Sequence, residues 1–324
     1  MRALVCNEYG PPESLVIEEW DDPSPADGEI VVDVAAAGIN FPDVLSIAGK
    51  YQVRTPPPFV AGNEASGTVA AVGAGVQRFS VGDRVMIMTR GGAFASKCVA
   101  HEMMAYPLPP SLDFERGAGF VVTYSTSLHA LKQCANIRAG ETVLVLGAAG
   151  GVGIAAVEIA KAMGARVIAA ASNAEKLAFA SAAGADELID YSRAVLRESI
   201  REITRDNGVD IVVDPVGGEL AVEAYRALAW HGRHLVIGFA GGDIPQFAGN
   251  IALLKEARVV GVWWGTWAMK NPPLQFENLN ALVEMLDAGM LTPRVTESHD
   301  FEDYAAAFKA ITGRRALGKV VLRL

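Results

Sequence analysis

The residues best placed for chemistry lie in segment 142–161, TVLVLGAAGGVGIAAVEIAK, where a short apolar run meets a glycine cluster and then apolar residues at helical spacing. Strand, turn and helix in that order suit a dinucleotide pyrophosphate. A middle glycine lets the backbone approach the anion, a last glycine permits close helix–strand packing, and the helix N-terminus faces the negative charge. Gly150 and Gly153 take those two places, while Ala148 stands where the first glycine usually sits, so the strict G-x-G-x-x-G spacing is missed by one residue. The candidate contacts are Ala149, Gly150, Gly151, Val152 and Gly153. An ordinary tight turn before a packed helix would use the same glycines; the strand and helix on the correct sides favour the cofactor.

The next apolar strand, 166–171, ends in Ser172 and Asn173, where an NAD-type site would place an acid for the ribose hydroxyls. No acid stands there, and Lys176 follows one helical turn later. Ser172, Asn173 and Lys176 therefore suit the extra phosphate of NADPH, offering hydroxyl, amide and ammonium donors. A solvated helix lysine is the alternative for Lys176.

Two kinds of segment must position these groups. Residues 1–122 alternate short apolar stretches with glycine and proline (30–35, 67–72, 84–88, 94–99), as a compact β domain does, and 50–59 is a proline-rich loop. Residues 123–264 alternate strands and helices, predicting a doubly wound parallel sheet with strands near 142–146, 166–171, 188–191, 211–214, 234–238 and 258–264. The tail 265–324, with helices near 276–288 and 302–312 and a strand at 319–324, is expected to complete the first domain.

Composition narrows the class of function. The chain has 324 residues, 51% of them hydrophobic, enough for two buried cores. Its net charge of −9 gives no broad attraction to nucleic acid or anionic membrane. The N-terminus reaches Asn7 and Glu8 after a few apolar residues, so no secretory or membrane segment is expected and the protein is read as cytoplasmic. Cys6, Cys98 and Cys134 form neither a disulfide framework nor a C-x-x-C metal pair. The five histidines, His101, His129, His231, His234 and His299, show no metal spacing or triad arrangement, and none is assigned a role.

The pattern Gly140-Glu141-x-x-Leu144-x-x-x-Ala148-Ala149-Gly150-Gly151-x-Gly153, ending on Lys161, resembles the zinc-independent quinone oxidoreductases of the medium-chain dehydrogenase/reductase superfamily. Glu158 departs from it, the family having glutamine there. The resemblance covers essentially the whole chain, with further echoes in residues 37–43, 62–67 and 238–242. It implies a GroES-like, mostly β domain beside the Rossmann sheet, with NADPH as the cofactor and a quinone or related activated carbonyl compound as the small-molecule acceptor. Reduction of an enone or enoyl-thioester double bond is the alternative enzyme reading, and a non-catalytic NADPH- or RNA-binding role is the alternative of another class.

At the positions where alcohol dehydrogenases of the superfamily hold zinc stand Asn40, Asn63 and an apolar residue near Val122. Neutral amides are poor zinc ligands, so metal-free chemistry is expected. Asn40 and Tyr51 are then the catalytic candidates: the family uses the corresponding asparagine and tyrosine on the substrate side of the nicotinamide, where amide and phenol can donate to a developing oxyanion. Asn40 could instead be a turn residue and Tyr51 a rim aromatic. The resemblance also places Tyr191 near the extra phosphate, Thr126 near the nicotinamide, and Gly238, Phe239 and Ala240 along it, with Arg314 or Arg315 reaching the phosphate from the tail. The bland alternatives are a core strand end, a helix cap, a flexible loop and a surface pair. The apolar run 258–264 at the end of the sheet predicts a homodimer through that edge, unless the chain's own loops cover it.

Overall fold

The computed structural model describes residues 1–324 and divides the chain into two compact units, Met1–Val122 with Pro293–Leu324, and Thr123–Thr292.

In the second unit six strands, all parallel, line up in the order Glu187–Asp190, Arg166–Ala171, Thr142–Leu146, Val209–Asp214, Leu228–Val236, Arg258–Gly261. Numbered along the chain this is 3-2-1-4-5-6, the doubly wound order whose ligands lie beyond the C-terminal strand ends, where the order reverses. The central strand Thr142–Leu146 is apolar on both faces because helices cover both, and Val143 to Leu146 are fully buried.

In the first unit the strand Glu29–Ile39 pairs with Glu64–Val72, Lys97–His101 and Lys319–Arg323, so one long strand organises an antiparallel sheet. Its apolar core joins Ile30, Val32, Ile39, Val85, Ile87 and Phe94 to Phe308, Val320 and Leu322 of the tail. The short helix Phe41–Ile47 follows that strand directly.

Three expectations need correction. Residues 265–292 do not join the first unit: the helices Trp264–Lys270 and Pro272–Asp287 belong to the second. Buried apolar side chains, Trp264, Leu279 and Leu282 among them, and polar ties hold them there. Trp264 Nε1 donates to Gln275 Oε1 at 2.9 Å, Gln275 Nε2 donates to Ser125 Oγ at 3.0 Å, and Glu158 Oε2 accepts from Tyr124 and from the amide of Thr292. Glu158 is thus a buried anchor. The last strand of the sheet stops at Gly261, because Trp264 already starts a helix. The strand expected at 94–99 runs Lys97–His101, Phe94 being a fully buried core residue before it.

Candidate active site

Strand register explains why the first unit gathers a buried polar cluster. Val320 pairs with Ile39, which brings Lys319 beside Asn40, and Ala65 pairs with Ala37, which brings Glu64 beside Gly38. Glu64 is fully buried and Lys319 only 5% exposed. The Lys319 ammonium donates to Glu64 Oε1 and, at 2.6 Å, to Asn40 Oδ1. Asn40 Nδ2 donates to Glu64 Oε1 at 2.8 Å and, more weakly, to the Gly38 carbonyl at 3.4 Å. Glu64 Oε2 accepts the amide of Val122 at 3.0 Å, one of the unpaired N–H groups in the first turn of the helix Val121–His129. Gly38 is required beside the ion pair: a Cβ there would sit 2.6 Å from Glu64 Oε1 and 2.9 Å from Lys319 Cε.

A second carboxylate lies next to this cluster. Asp43, 1% exposed, accepts the backbone N–H of Asn40 at 2.7 Å and Asn63 Nδ2 at 2.5 Å. Burial pushes its carboxyl up from the ordinary 3.8 to about 7, against the two hydrogen bonds and the attraction of Lys319, with the Glu64 charge adding to the rise. The folded state therefore holds this proton more tightly than the unfolded chain. The resulting stabilisation is complete below the unfolded value near 3.8 and is lost as pH rises through about 7. Relative to Asp43→Asn, the parent should lose on the order of 2 kcal/mol between about pH 5 and 7. Chemical denaturation across that range measures it, and parallel profiles for the two proteins would contradict it.

All three positions at which alcohol dehydrogenases carry zinc ligands thus take part in hydrogen bonds to carboxylates: Asn40 and the Val122 amide to Glu64, Asn63 to Asp43. Asn40 and Tyr51 leave the backbone at opposite ends of one short helix. Asn40 precedes the helix Phe41–Ile47, while the Tyr51 amide donates to the carbonyl of Leu45 at the other end. Seven helical residues span roughly 10 Å. Tyr51 is half-buried, and the amide of Asn40 is already committed to Lys319 and Glu64.

In the second unit the glycine turn lies beyond the central strand. The helix Gly151–Ala162 begins within it, so Gly151, Val152 and Gly153 present first-turn amides. Gly153 is where a side chain is forbidden, since a Cβ would fall 2.8 Å from Ala148 Cα; at Gly150 the nearest atom would be the Gly147 carbonyl at 3.5 Å, which leaves room for an approaching anion. Ala149 is 2% exposed, so its contribution is backbone.

Strand ends also collect the expected phosphate-side residues. Lys176 Nζ donates to Ser172 Oγ at 3.2 Å, and the amide of Tyr191 donates to the Ala171 carbonyl at 3.2 Å, which sets Tyr191 next to Ser172. Asn173 Oδ1 caps the helix Ala174–Ser181 by accepting the Lys176 amide at 2.9 Å. The nearest acid on the neighbouring strand, Asp190, is turned into its own loop: Ser192 hydrogen bonds, aided by Arg193, hold its carboxyl below the usual range.

Gly238, Phe239 and Ala240 follow the strand Leu228–Val236 and are fastened to its neighbour, with the Gly238 amide donating to the Asp214 carbonyl and the Ala240 amide to that of Pro215. Thr126 lies inside the helix Val121–His129, 8% exposed, and is not a cap. Arg314 and Arg315 are exposed, in the first unit, just after the helix Tyr304–Thr312. Sequence reasoning missed Lys319, and saw Glu64 and Asp43 only as letters of motifs; a lysine heading the apolar run Lys319-Val320-Val321-Leu322 was the available signal.

A six-stranded parallel sheet of this order, together with a mostly antiparallel β unit completed by the C-terminal tail, defines the architecture of the medium-chain dehydrogenases/reductases. The alcohol dehydrogenase GroES-like domain model matches residues 26–173 and the zinc-binding dehydrogenase model residues 151–284. The chain is 37% identical to the quinone oxidoreductase-like protein 2 homolog of Nematostella vectensis, over 99% of this chain and 88% of the relative. Among solved structures it is similar to Escherichia coli quinone oxidoreductase complexed with NADPH, with TM-score 0.94 and 29% identity over 100% of both chains. It is also similar to the CurK enoyl reductase, with TM-score 0.90 and 26% identity over 99% of this chain and 98% of that one. The chain belongs to the quinone oxidoreductase branch of this enzyme family.

Proposed function

We propose that the protein is an NADPH-dependent reductase of quinones and related activated carbonyl compounds that works without a metal. The observation that carries the cofactor choice is the Ser172–Lys176 pair at the end of the strand Arg166–Ala171, with no acid on that strand end and Asp190 engaged elsewhere. The glycine turn fits a pyrophosphate by the open space at Gly150 and the first-turn amides of the helix behind it. Tyr191 packs beside the extra phosphate, Arg314 or Arg315 supplies a further cation to it, and Thr126 and the run Gly238–Ala240 border the nicotinamide. Bound NADPH supplies the hydride. The chain's own residues orient the acceptor, exclude water and provide a proton where the product needs one. Tyr51 is the proton or hydrogen-bond donor in this reading, and Asn40 holds the substrate-side turn through its bonds to Glu64 and Lys319.

Support for the metal-free reading comes from the ligand positions, where two amides and a backbone N–H serve carboxylates instead. Reduction of a conjugated double bond is the second reading, favoured by the likeness to an enoyl reductase. The same cofactor and donor serve both, and the product separates them: a hydroquinone against a saturated carbonyl compound.

Paired titrations test the cofactor assignment. NADPH should bind more tightly than NADH, and Lys176→Ala should weaken NADPH by about 10-fold while leaving NADH nearly unchanged. Tighter NADH binding by the parent would sink it.

The protein is further read as a cytoplasmic homodimer. Its three cysteines are free, as in a reducing compartment, and no helix is long and apolar enough to cross a membrane. The strand Arg258–Gly261 pairs on one side only, and Val259, Trp263, Leu253 and Leu254 nearby in sequence are 46%, 52%, 78% and 66% exposed. A two-fold partner pairing at that edge would cover the ladder and the apolar side chains. Light scattering should return twice the chain mass; a monomer at micromolar concentration would contradict it.

A further inference from the structure

His234 and Asp214 are both fully buried, on adjacent parallel strands of the second unit. His234 Nε2 lies 2.9 Å from Asp214 Oδ2. The other ring nitrogen, Nδ1, is buried and has no partner, so the hydrogen must sit on Nε2 and be donated to the carboxylate. The ring is held between aromatic neighbours, Phe247 at 4.8 Å and Tyr225 at 6.1 Å between centroids.

Asp214 uses its other oxygen to gather backbone. Oδ1 accepts the amides of Val216 at 2.9 Å and Gly217 at 2.8 Å, which folds residues 214–217 back on the strand end. Gly217 has φ 74°, and a Cβ there would fall 2.9 Å from the Asp243 carbonyl, so the turn admits no bulkier residue. On this turn hangs the run after the neighbouring strand: Ala240 N donates to Pro215 O, Gly241 N to Val216 O at 2.7 Å, and Gly218 N to Asp243 O.

From this chain of contacts we infer that His234 is a positioning residue for the cofactor, acting through Asp214 and the 214–217 turn to hold Gly238–Ala240 in place. The inference rests on the reading of that run as the border of the nicotinamide. It gives a role to a histidine to which the sequence assigned none. An apolar side chain at this position would fill the core equally well but leave one carboxylate oxygen of a buried aspartate without its donor.

The test compares the parent with His234→Phe, which keeps an aromatic ring against Phe247 and Tyr225, and His234→Gln, which keeps an N–H donor. NADPH affinity should fall about 10-fold in His234→Phe and return to within roughly threefold of the parent in His234→Gln, while the KM for the acceptor at saturating NADPH stays within about twofold. Equal NADPH affinity in parent and His234→Phe would overturn the inference, as would equal losses in the two variants or a parallel rise in acceptor KM. If the parent binds no NADPH, the cofactor reading itself fails. An arm without cofactor covers that case and any failure of a variant to fold: nitrogen-15 spectra of the parent should show His234 as the Nε2–H tautomer and the Gly217 amide proton shifted downfield. A Nδ1–H tautomer would overturn the pairing on which the inference stands.

Discussion

In a Lys319→Met variant, turnover with every quinone should fall by about 10²-fold or more and the folded state should lose about 3–5 kcal/mol, because Glu64 would be left as an uncompensated buried charge. Glu64 is fully buried, and its other donors, Asn40 Nδ2 and the Val122 amide, are neutral. Methionine has nearly the volume of lysine, so packing changes little and the loss reports the missing ammonium. The double variant Lys319→Met with Glu64→Gln separates the two roles. Removing both charges should recover most of the stability, as buried pairs do when replaced together, but not the turnover, because Asn40 Oδ1 has still lost its ammonium partner. Denaturant unfolding and steady-state kinetics on the two variants measure this. A single variant as stable and as active as the parent would show that the ion pair neither supports the fold nor orients Asn40.

The second large effect belongs to Tyr51. Its amide is tied to Leu45 at the end of the helix Phe41–Ile47, so the helix fixes where the residue leaves and the loop 48–58 carries the phenol. If that phenol delivers a proton or stabilises charge in the transition state, Tyr51→Phe should lower turnover by roughly 10²-fold while NADPH affinity stays put. Enones should lose more than quinones, which accept a hydride readily and depend less on a donor. Unchanged turnover with every acceptor would make Tyr51 a wall of the site and return the search for a donor to the Asn40 cluster.

The sequence carried the second unit well, because its signals are local. Glycine turn, strand and helix read off in order, and Ser172 and Lys176, at a strand end without an acid, lie within one helical turn of each other and pair as neighbours. What it did not carry is long-range pairing. Lys319 meets Asn40 and Glu64 across 279 and 255 residues, through the register of Lys319–Arg323 on Glu29–Ile39, which no spacing along the chain reveals. The same blindness misplaced residues 265–292: part of their attachment to the second unit runs through polar pairs, the buried Gln275 with Ser125 and the buried Asn278 with Gln133, invisible in a hydrophobic pattern. Family resemblance pointed to Asn40 without showing that its amide is already occupied.

One assay decides whether hydride passes from NADPH to a quinone without a metal. Protein treated with chelator and shown by elemental analysis to be free of zinc should oxidise one NADPH for each two-electron equivalent of quinone reduced, at the rate of untreated protein. No quinone-dependent oxidation of NADPH, or activity lost on chelation and restored by stoichiometric zinc, would contradict the account.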